Sequence, residues 1–260
     1  MKEHIFKKKY GQNFLMDQTI LQKIYSSITP MPEDLIIEIG PGSGNLTKWL
    51  QKYNCKIICY EIDESLKEPL SQIENENTTI KFKDFLEVDI DEELKNIKYN
   101  NLYVIANIPY YITTPIIKKI TFSNANPQGL VLMVQKEVAE RLSAKPKTKE
   151  YGYITVLLNY FYDIKKLFNV SKNCFYPRPN VDSAIIKLVP NNKQQTDFNT
   201  FNTLIENAFR YKRKNLNNNL KEYNKEIISN ILEKHGYSLN SRAEEIPIDI
   251  YIEISNEIKQ

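Results

Sequence analysis

The feature that most constrains this chain is a series of short Ile/Val/Leu-rich runs at 35–39, 56–60, 79–82, 102–105 and 130–134. Near-continuous apolar runs of this length fit strands buried on both faces. Their spacing leaves room for a crossover helix between parallel neighbours. Segments 63–73 and 111–121 are the expected helices, so the pattern predicts a doubly wound α/β sheet. A further run at 183–189 is expected to add a strand at the far side of the sheet. A length of 260 residues permits one large domain, or one domain plus a small one.

The pattern changes after Pro190. Asn, Gln and Lys dominate up to Asp197, and then Phe201, Leu204, Ile205, Ala208 and Phe209 recur at the spacing of an amphipathic helix. A second helix is predicted over 222–235, closed by Gly236, and a third over 247–258 with Pro247 in its first turn. The expected division is an α/β domain over 1–190, a linker over 191–197 and a helical domain over 198–260. Residues 1–15 are expected to form a basic arm followed by a turn that precedes a helix.

Composition narrows the function classes. Hydrophobic residues make up 42% and charged residues 26%, the proportions of a folded chain and not of a disordered one. No apolar run approaches the roughly 18 residues of a membrane span. The start, Met1-Lys2-Glu3-His4, lacks the apolar stretch of a signal peptide, which points to the cytoplasm. Three cysteines, Cys55, Cys59 and Cys174, read as small buried hydrophobes in a reducing compartment. Two histidines at opposite ends of the chain offer little to a metal site or a Ser/His triad, so no metal is expected. Charge is concentrated: residues 2–9 carry +3 and residues 210–225 carry +5, within a chain of net charge +3. Such windows, with Lys7, Lys8 and Lys9 in the first, suit phosphate contact; solvated helix faces give the same pattern.

The chemistry gathers where the runs end. Glu38-Ile39-Gly40-Pro41-Gly42-Ser43-Gly44 follows the first, and glycines there let a ligand approach the backbone. Asn45 stands where a dinucleotide fingerprint needs its third glycine, and Asn45-Leu46-Thr47 lacks the lysine of a phosphate-binding loop. The remaining Gly-x-Gly-x-Gly form suits S-adenosylmethionine or a plain tight turn. Glu61 ends the second run and can accept from ribose hydroxyls, or be an ordinary exposed glutamate. Asp84 follows the third and can accept from an adenine amino group, or cap a helix. Asn107-Ile108-Pro109-Tyr110 ends the fourth. The Asn107 side-chain oxygen and the Ile108 carbonyl offer two acceptors for the N–H bonds of an exocyclic amine. Pro109 holds Ile108 extended, and Tyr110 offers a stacking face.

Taken together these segments carry a resemblance. Tyr10-Gly11-Gln12-Asn13-Phe14-Leu15, the glycine loop, Glu61-Ile62-Asp63 and Asn107-Ile108-Pro109-Tyr110 occur in order. Gln135-Lys136-Glu137-Val138 and the run 175–183 (Phe175-Tyr176-Pro177-Arg178-Pro179-Asn180-Val181-Asp182-Ser183) follow. Over essentially its whole length the chain resembles the ribosomal RNA adenine N6,N6-dimethyltransferase family. Gly-Pro-Gly at 40–42 and the Gln-Lys-Glu-Val run resemble its small-subunit (16S-type, KsgA-like) branch.

The resemblance implies a Rossmann-like methyltransferase fold with a small C-terminal helical domain. It implies S-adenosylmethionine as cofactor, with contacts from Asn13, Leu15, Gly40, Gly42, Glu61, Asp84 and Asn107, and S-adenosylhomocysteine as product. The implied substrate is two adjacent adenosines in a hairpin loop of small-subunit rRNA, in a late assembly particle, acted on by a monomer. Phe175 becomes a second stacking ring opposite Tyr110, though a core aromatic beside Pro177 fits as well. Lys212, Arg213, Lys214 and Arg242 match positions that touch rRNA backbone, on a basic helix whose Asn217-Asn218-Asn219 continuation weakens the grip. Two other functions stay open: a large-subunit rRNA enzyme conferring macrolide resistance, and a non-catalytic RNA-binding assembly factor.

Overall fold

The computed structural model describes residues 13–107, 112–191, 193 and 196–258. In chain order the elements are β1 (Phe14–Leu15), α1 (Gln18–Tyr25), β2 (Leu35–Ile39), α2 (Asn45–Leu50), β3 (Lys56–Glu61), α3 (Lys67–Ser71) and β4 (Thr78–Phe82). Next come α4 (Ile90–Leu94), β5 (Leu102–Asn107), α5 (Thr113–Thr121), β6 (Gly129–Gln135), α6 (Lys136–Leu142) and α7 (Tyr153–Phe161). Then follow β7 (Tyr162–Val170), β8 (Phe175–Tyr176), β9 (Ser183–Pro190), α8 (Phe198–Phe209), α9 (Leu216–Asn219), α10 (Lys225–Lys234) and α11 (Ile248–Glu257).

All six apolar runs are strands of one sheet, ordered β4-β3-β2-β5-β6-β9-β7. The five strands from β4 to β6 are parallel, and β9 runs antiparallel to β6. The strand at 183–189 therefore lies inside the sheet, with β7 outside it. The hydropathy of β7 explains why it was not expected: Asp163, Lys165, Lys166 and Leu167 are exposed, the polar character of an edge. In the central strands Ile36, Ile57, Ile105 and Val131 pack in one core with Leu21, Ile24, Leu46, Leu50 and Leu70 of the helices. Their neighbours Ile37, Ile58, Val104 and Leu132 turn to the other face and are buried too. Burial on both faces is what produces near-continuous hydrophobic strands.

The chain forms two compact units, and the second is not simply its C-terminal end. Residues up to Ala139 join Lys165–Val189 in one unit; Glu140–Ile164 join the residues from Pro190 onward in the other. An expected boundary at 190 misses this because α7 follows the sheet strands in sequence but packs elsewhere. Its Val156, Leu157 and Tyr160 share a core with Phe201, Leu204 and Ile205 of α8 and with Tyr251 and Ile254 of α11. The Tyr160 ring stacks on Phe201 at 4.5 Å between centroids. Part of the expected linker is anchored here as well: Thr196 accepts from the Tyr160 hydroxyl (2.8 Å), and Asp197 caps α8 through the Thr200 N–H (2.9 Å). Pro247 precedes α11 as its cap, one residue before the expected first turn. No helix of the described residues is long and apolar enough to cross a membrane.

One buried carboxylate joins the amino ends of the two central strands. Asp34 accepts from the Met31 N–H (2.8 Å), the Asn101 N–H (2.9 Å) and the Asn101 side-chain amide (2.9 Å). Replacing it leaves those donors unpaired beside β2 and β5, far along the strands from the glycine loop. Asp34→Ala is expected to lose about 3 kcal/mol of stability in urea unfolding, the scale of a buried charge-assisted network.

Candidate cofactor and substrate site

The chain runs outward through β2, β3 and β4 and then returns to β5 on the other side of β2. The crossovers therefore diverge between β2 and β5, and ligands of open α/β sheets bind at the carboxyl ends of the strands at such a point. Ile39 pairs with Ala106, so the glycine loop emerges beside Asn107. Glu61 ends the next strand and Asp84 follows the one beyond it. Four readings from separate stretches of sequence thus arrive on one edge of the sheet, in the order Asp84, Glu61, glycine loop, Asn107.

The loop is shaped by positive backbone angles. Gly42 (φ +57°) and Gly44 (φ +73°) occupy the left-handed region that side chains rarely adopt. A Cβ at Gly42 would lie 2.8 Å from the Phe14 ring, and one at Gly44 would lie 2.4 Å from Ile73. Glu61 faces this loop. It is 4% exposed, accepting from the Gly42 N–H (3.0 Å) through one oxygen and the Asp63 N–H (3.0 Å) through the other. The exposed-glutamate reading is therefore corrected: the last residue of β3 is drawn in by backbone donors. Burial raises its pKa, and the Asp63 and Gly42 donors oppose that rise.

Asp84 is half-buried and caps the turn at Phe85–Glu87 by accepting from the Leu86 N–H (2.9 Å). The capping role is thus occupied by one oxygen, while the residue also lines an open cleft of about 850 Å³ with Ile62, Phe82 and Val88. Asn107 is half-buried at the end of β5. Ile108, Pro109 and Tyr110 lie outside the described residues, as do Lys7, Lys8 and Lys9. Phe175 is 6% exposed and packs in one core with Leu15, Met133 and Ile185.

The segment from Asn13 to Leu15 joins this edge through contacts that no local pattern announces. Phe14 and Leu15 pair antiparallel with Tyr176 and Phe175, bringing together motifs about 160 residues apart in sequence. The Phe14 ring lies against Gly42, and the Leu15 carbonyl accepts from the Asn45 side chain (3.0 Å). Phe14 and Asn45 are the residues that reading by motif missed. Asn45 had registered only as a departure from a fingerprint.

Behind the loop lies Glu38, 1% exposed within β2. Burial lifts its pKa from the ordinary 4.5 to about 7, with the Thr47 hydroxyl and Cys59 thiol pulling the other way. The Cys59 thiol donates to it at 3.5 Å. Cys55 and Cys59 are buried as expected, whereas Cys174 is half-buried, with its sulfur 3.6 Å from Asp17.

In the second unit the basic residues meet. Asn215 bridges Arg242 in an antiparallel contact, and the Leu216 N–H donates to the Ser241 carbonyl (2.9 Å). Lys212, Arg213 and Lys214 are exposed, and so is Arg242. The run is not helical as expected: α8 stops at Phe209, and residues 210–214 form a turn. The asparagines beyond it hold that turn. Asn219 donates to the Ala208 carbonyl (2.6 Å), and Asn215 caps α9 through the Asn218 N–H (3.2 Å).

S-adenosylmethionine can be tested against these groups. Each Glu61 oxygen spends one acceptor site on a backbone N–H, and a carboxylate has about four, leaving capacity for two ribose hydroxyls. The Phe14 ring fills the space that a Cβ at Gly42 would take, so only glycine fits this turn of the loop. The residues fit the cofactor. No group of three metal-ligating side chains occurs among the described residues.

A parallel sheet with a glycine loop at its switch point and acidic groups on the next two strands defines a Rossmann-like methyltransferase fold. The structural comparisons agree. A dimethyladenosine transferase from Plasmodium falciparum superposes with a TM-score of 0.78 at 27% identity, covering 93% of this chain and 95% of that one. The 23S rRNA methyltransferase ErmE shares the fold at a TM-score of 0.76 and 23% identity, covering 95% and 100%. The family model for ribosomal RNA adenine dimethylase matches residues 3–260. Ribosomal RNA small subunit methyltransferase A of Mycoplasma mobile is 41% identical, covering 95% of this chain and 96% of the relative. The protein of the same name from Clostridium botulinum is 38% identical, covering 98% and 94%. The chain belongs to the ribosomal RNA adenine dimethylase family.

The Glu38 environment predicts a pH-dependent stability. A carboxyl group with a folded pKa of about 7 binds its proton more tightly folded than unfolded. Its contribution is therefore fully present below about pH 4.5 and lost as pH rises through 7. Glu38→Gln, which cannot ionise, is expected to match the parent at pH 5 and to be more stable at pH 8.5, by on the order of 3 kcal/mol. Thermal unfolding at the two pH values checks this.

Proposed function

We propose that the chain transfers methyl groups from S-adenosylmethionine to the N6 atoms of two adjacent adenosines in the 3′-terminal hairpin loop of small-subunit rRNA. Two methyl groups go to each base. The observation that carries this reading is the register of β2 with β5, which sets Asn107 beside the glycine loop and Glu61. The names of the relatives at 41% and 38% identity support the small subunit as the target.

When bound, S-adenosylmethionine supplies a methyl group on a positively charged sulfur. The protein's part is positioning. Glu61 accepts from the ribose hydroxyls and Asp84, with its uncommitted oxygen, from the adenine amino group of the cofactor. Asn13, Leu15, Gly40 and Gly42 border the cofactor with backbone. The Asn107 side-chain oxygen and the Ile108 carbonyl accept both N6–H bonds of the target base. These contacts oppose delocalisation of the nitrogen lone pair into the ring. Pro109 holds Ile108 extended, Tyr110 stacks on the base, and Phe175 backs it from the opposite side. Alignment of amine and methyl group supplies most of the acceleration, with effective molarities worth about 7–11 kcal/mol. No general base is required, because the methylated amine is acidic and releases its proton to water.

An unpaired hairpin loop lets the target adenine leave its stack at small cost. Lys7, Lys8, Lys9, Lys212, Arg213, Lys214 and Arg242 grip phosphates, making binding salt-sensitive. The enzyme acts as a cytoplasmic monomer on a late assembly particle.

The direct test is incorporation of tritiated methyl groups into undermethylated small subunits, with mapping of N6,N6-dimethyladenosine. Asn107→Ala is expected to lower kcat about 10²-fold, the scale for one transition-state hydrogen bond. Methylation of large-subunit rRNA instead, with macrolide resistance on expression, overturns the small-subunit assignment. Absence of S-adenosylmethionine binding overturns the enzyme. Replacing Lys212, Arg213 and Lys214 together by Ala is expected to raise KM for the subunit and leave cofactor affinity unchanged. The salt dependence of subunit binding should flatten by roughly 0.7–0.9 log units per charge removed.

A further inference from the structure

Asn45 has a task that the family reading does not supply. It stands at the first position of α2, where a dinucleotide fingerprint has glycine. Its side-chain amide reaches back 30 residues to donate to the Leu15 carbonyl (3.0 Å), with the Met16 sulfur at 3.6 Å. A carbonyl only accepts, so the amide nitrogen must be the atom that faces it. Segment 14–17 is held at its other sides as well. Phe14 and Leu15 pair with Tyr176 and Phe175, the Met16 N–H donates to the Cys174 carbonyl (2.9 Å), and Asp17 caps α1 through Thr19 and Ile20. The Asn45 bond joins this ribbon to the helix that begins at the glycine loop, and the Phe14 ring closes on Gly42 beside it.

We infer that Asn45 is a positioning residue that latches the 13–15 segment over the glycine loop. The latch holds the closing segment in its cofactor-binding position before the cofactor arrives. The inference rests on the proposed use of S-adenosylmethionine. A glycine or alanine at position 45 would leave the Leu15 carbonyl without this donor, while the ribbon to Tyr176 and Phe175 would survive. The segment would then spend part of its time undocked, and apparent cofactor affinity falls by the fraction of time the competent position is lost.

Asn45→Asp keeps the size of the side chain and removes the donor, whereas Asn45→Gln keeps a donor on a longer arm. The experiment measures S-adenosylmethionine affinity by calorimetry, and amide hydrogen exchange at residues 14–16 and in α2, on the full chain. Asn45→Asp is expected to weaken cofactor binding about tenfold, the factor that one hydrogen bond is worth. Exchange at 14–16 should accelerate while α2 keeps its protection, and kcat at saturating cofactor should stay within a few-fold. Asn45→Gln should recover part of the affinity. A merely structural role would instead speed exchange in α2 and lower kcat together with affinity, and that result overturns the latch. Unchanged affinity and exchange in Asn45→Asp, with the parent binding cofactor normally, overturns the latch alone. A parent that binds no S-adenosylmethionine overturns the proposed function and the latch together.

Discussion

A sheet covered on both faces has nowhere to keep polar chemistry except its ends. In this protein the central strands are apolar on both sides, and Glu38 shows what an exception costs: a carboxyl group inside β2 has its pKa driven up to about 7. Everything polar that suits a ligand lies at or just beyond the carboxyl ends of the strands. The crossovers diverge between β2 and β5, the point on that edge where open α/β sheets bind their ligands. Glycine loop, Glu61, Asp84 and Asn107 share a site for this reason, not because they are close in the chain.

The second constraint is closure. A loop with three left-handed glycines is an exposed stretch of backbone unless something packs on it. Here the Phe14 ring occupies the space that a side chain at Gly42 would take. The β1–β8 ribbon brings the Phe175 segment to the same place. Segments about 160 residues apart are thereby joined by main-chain hydrogen bonds beside the loop.

Much of this is legible in the sequence. The six apolar runs are strands because uniform burial leaves a uniform signal. The stripe from Phe201 to Ala208 is the buried face of α8, and Gly236 closes α10 with φ +76° and the Tyr237 N–H returning to Leu232 (2.8 Å). Less legible was β7, whose exposed Lys165 and Lys166 hide a strand at the sheet's edge. The turn at 210–214 is spanned by Asn219 reaching the Ala208 carbonyl, a contact that the asparagine run does not announce.

Six strands of the sheet, its glycine loop and the family are legible in the chain alone, since these depend on periodicity and on short motifs that keep their meaning locally. The folded chain adds that Glu61 is buried against the loop, that α7 packs with the C-terminal helices, that Arg242 pairs with Asn215, and that Asn45 reaches Leu15. Each of these joins positions far apart in the chain or turns a polar side chain inward. Hydropathy carries no record of which distant donor or acceptor a polar residue will meet, so only the folded chain could supply it.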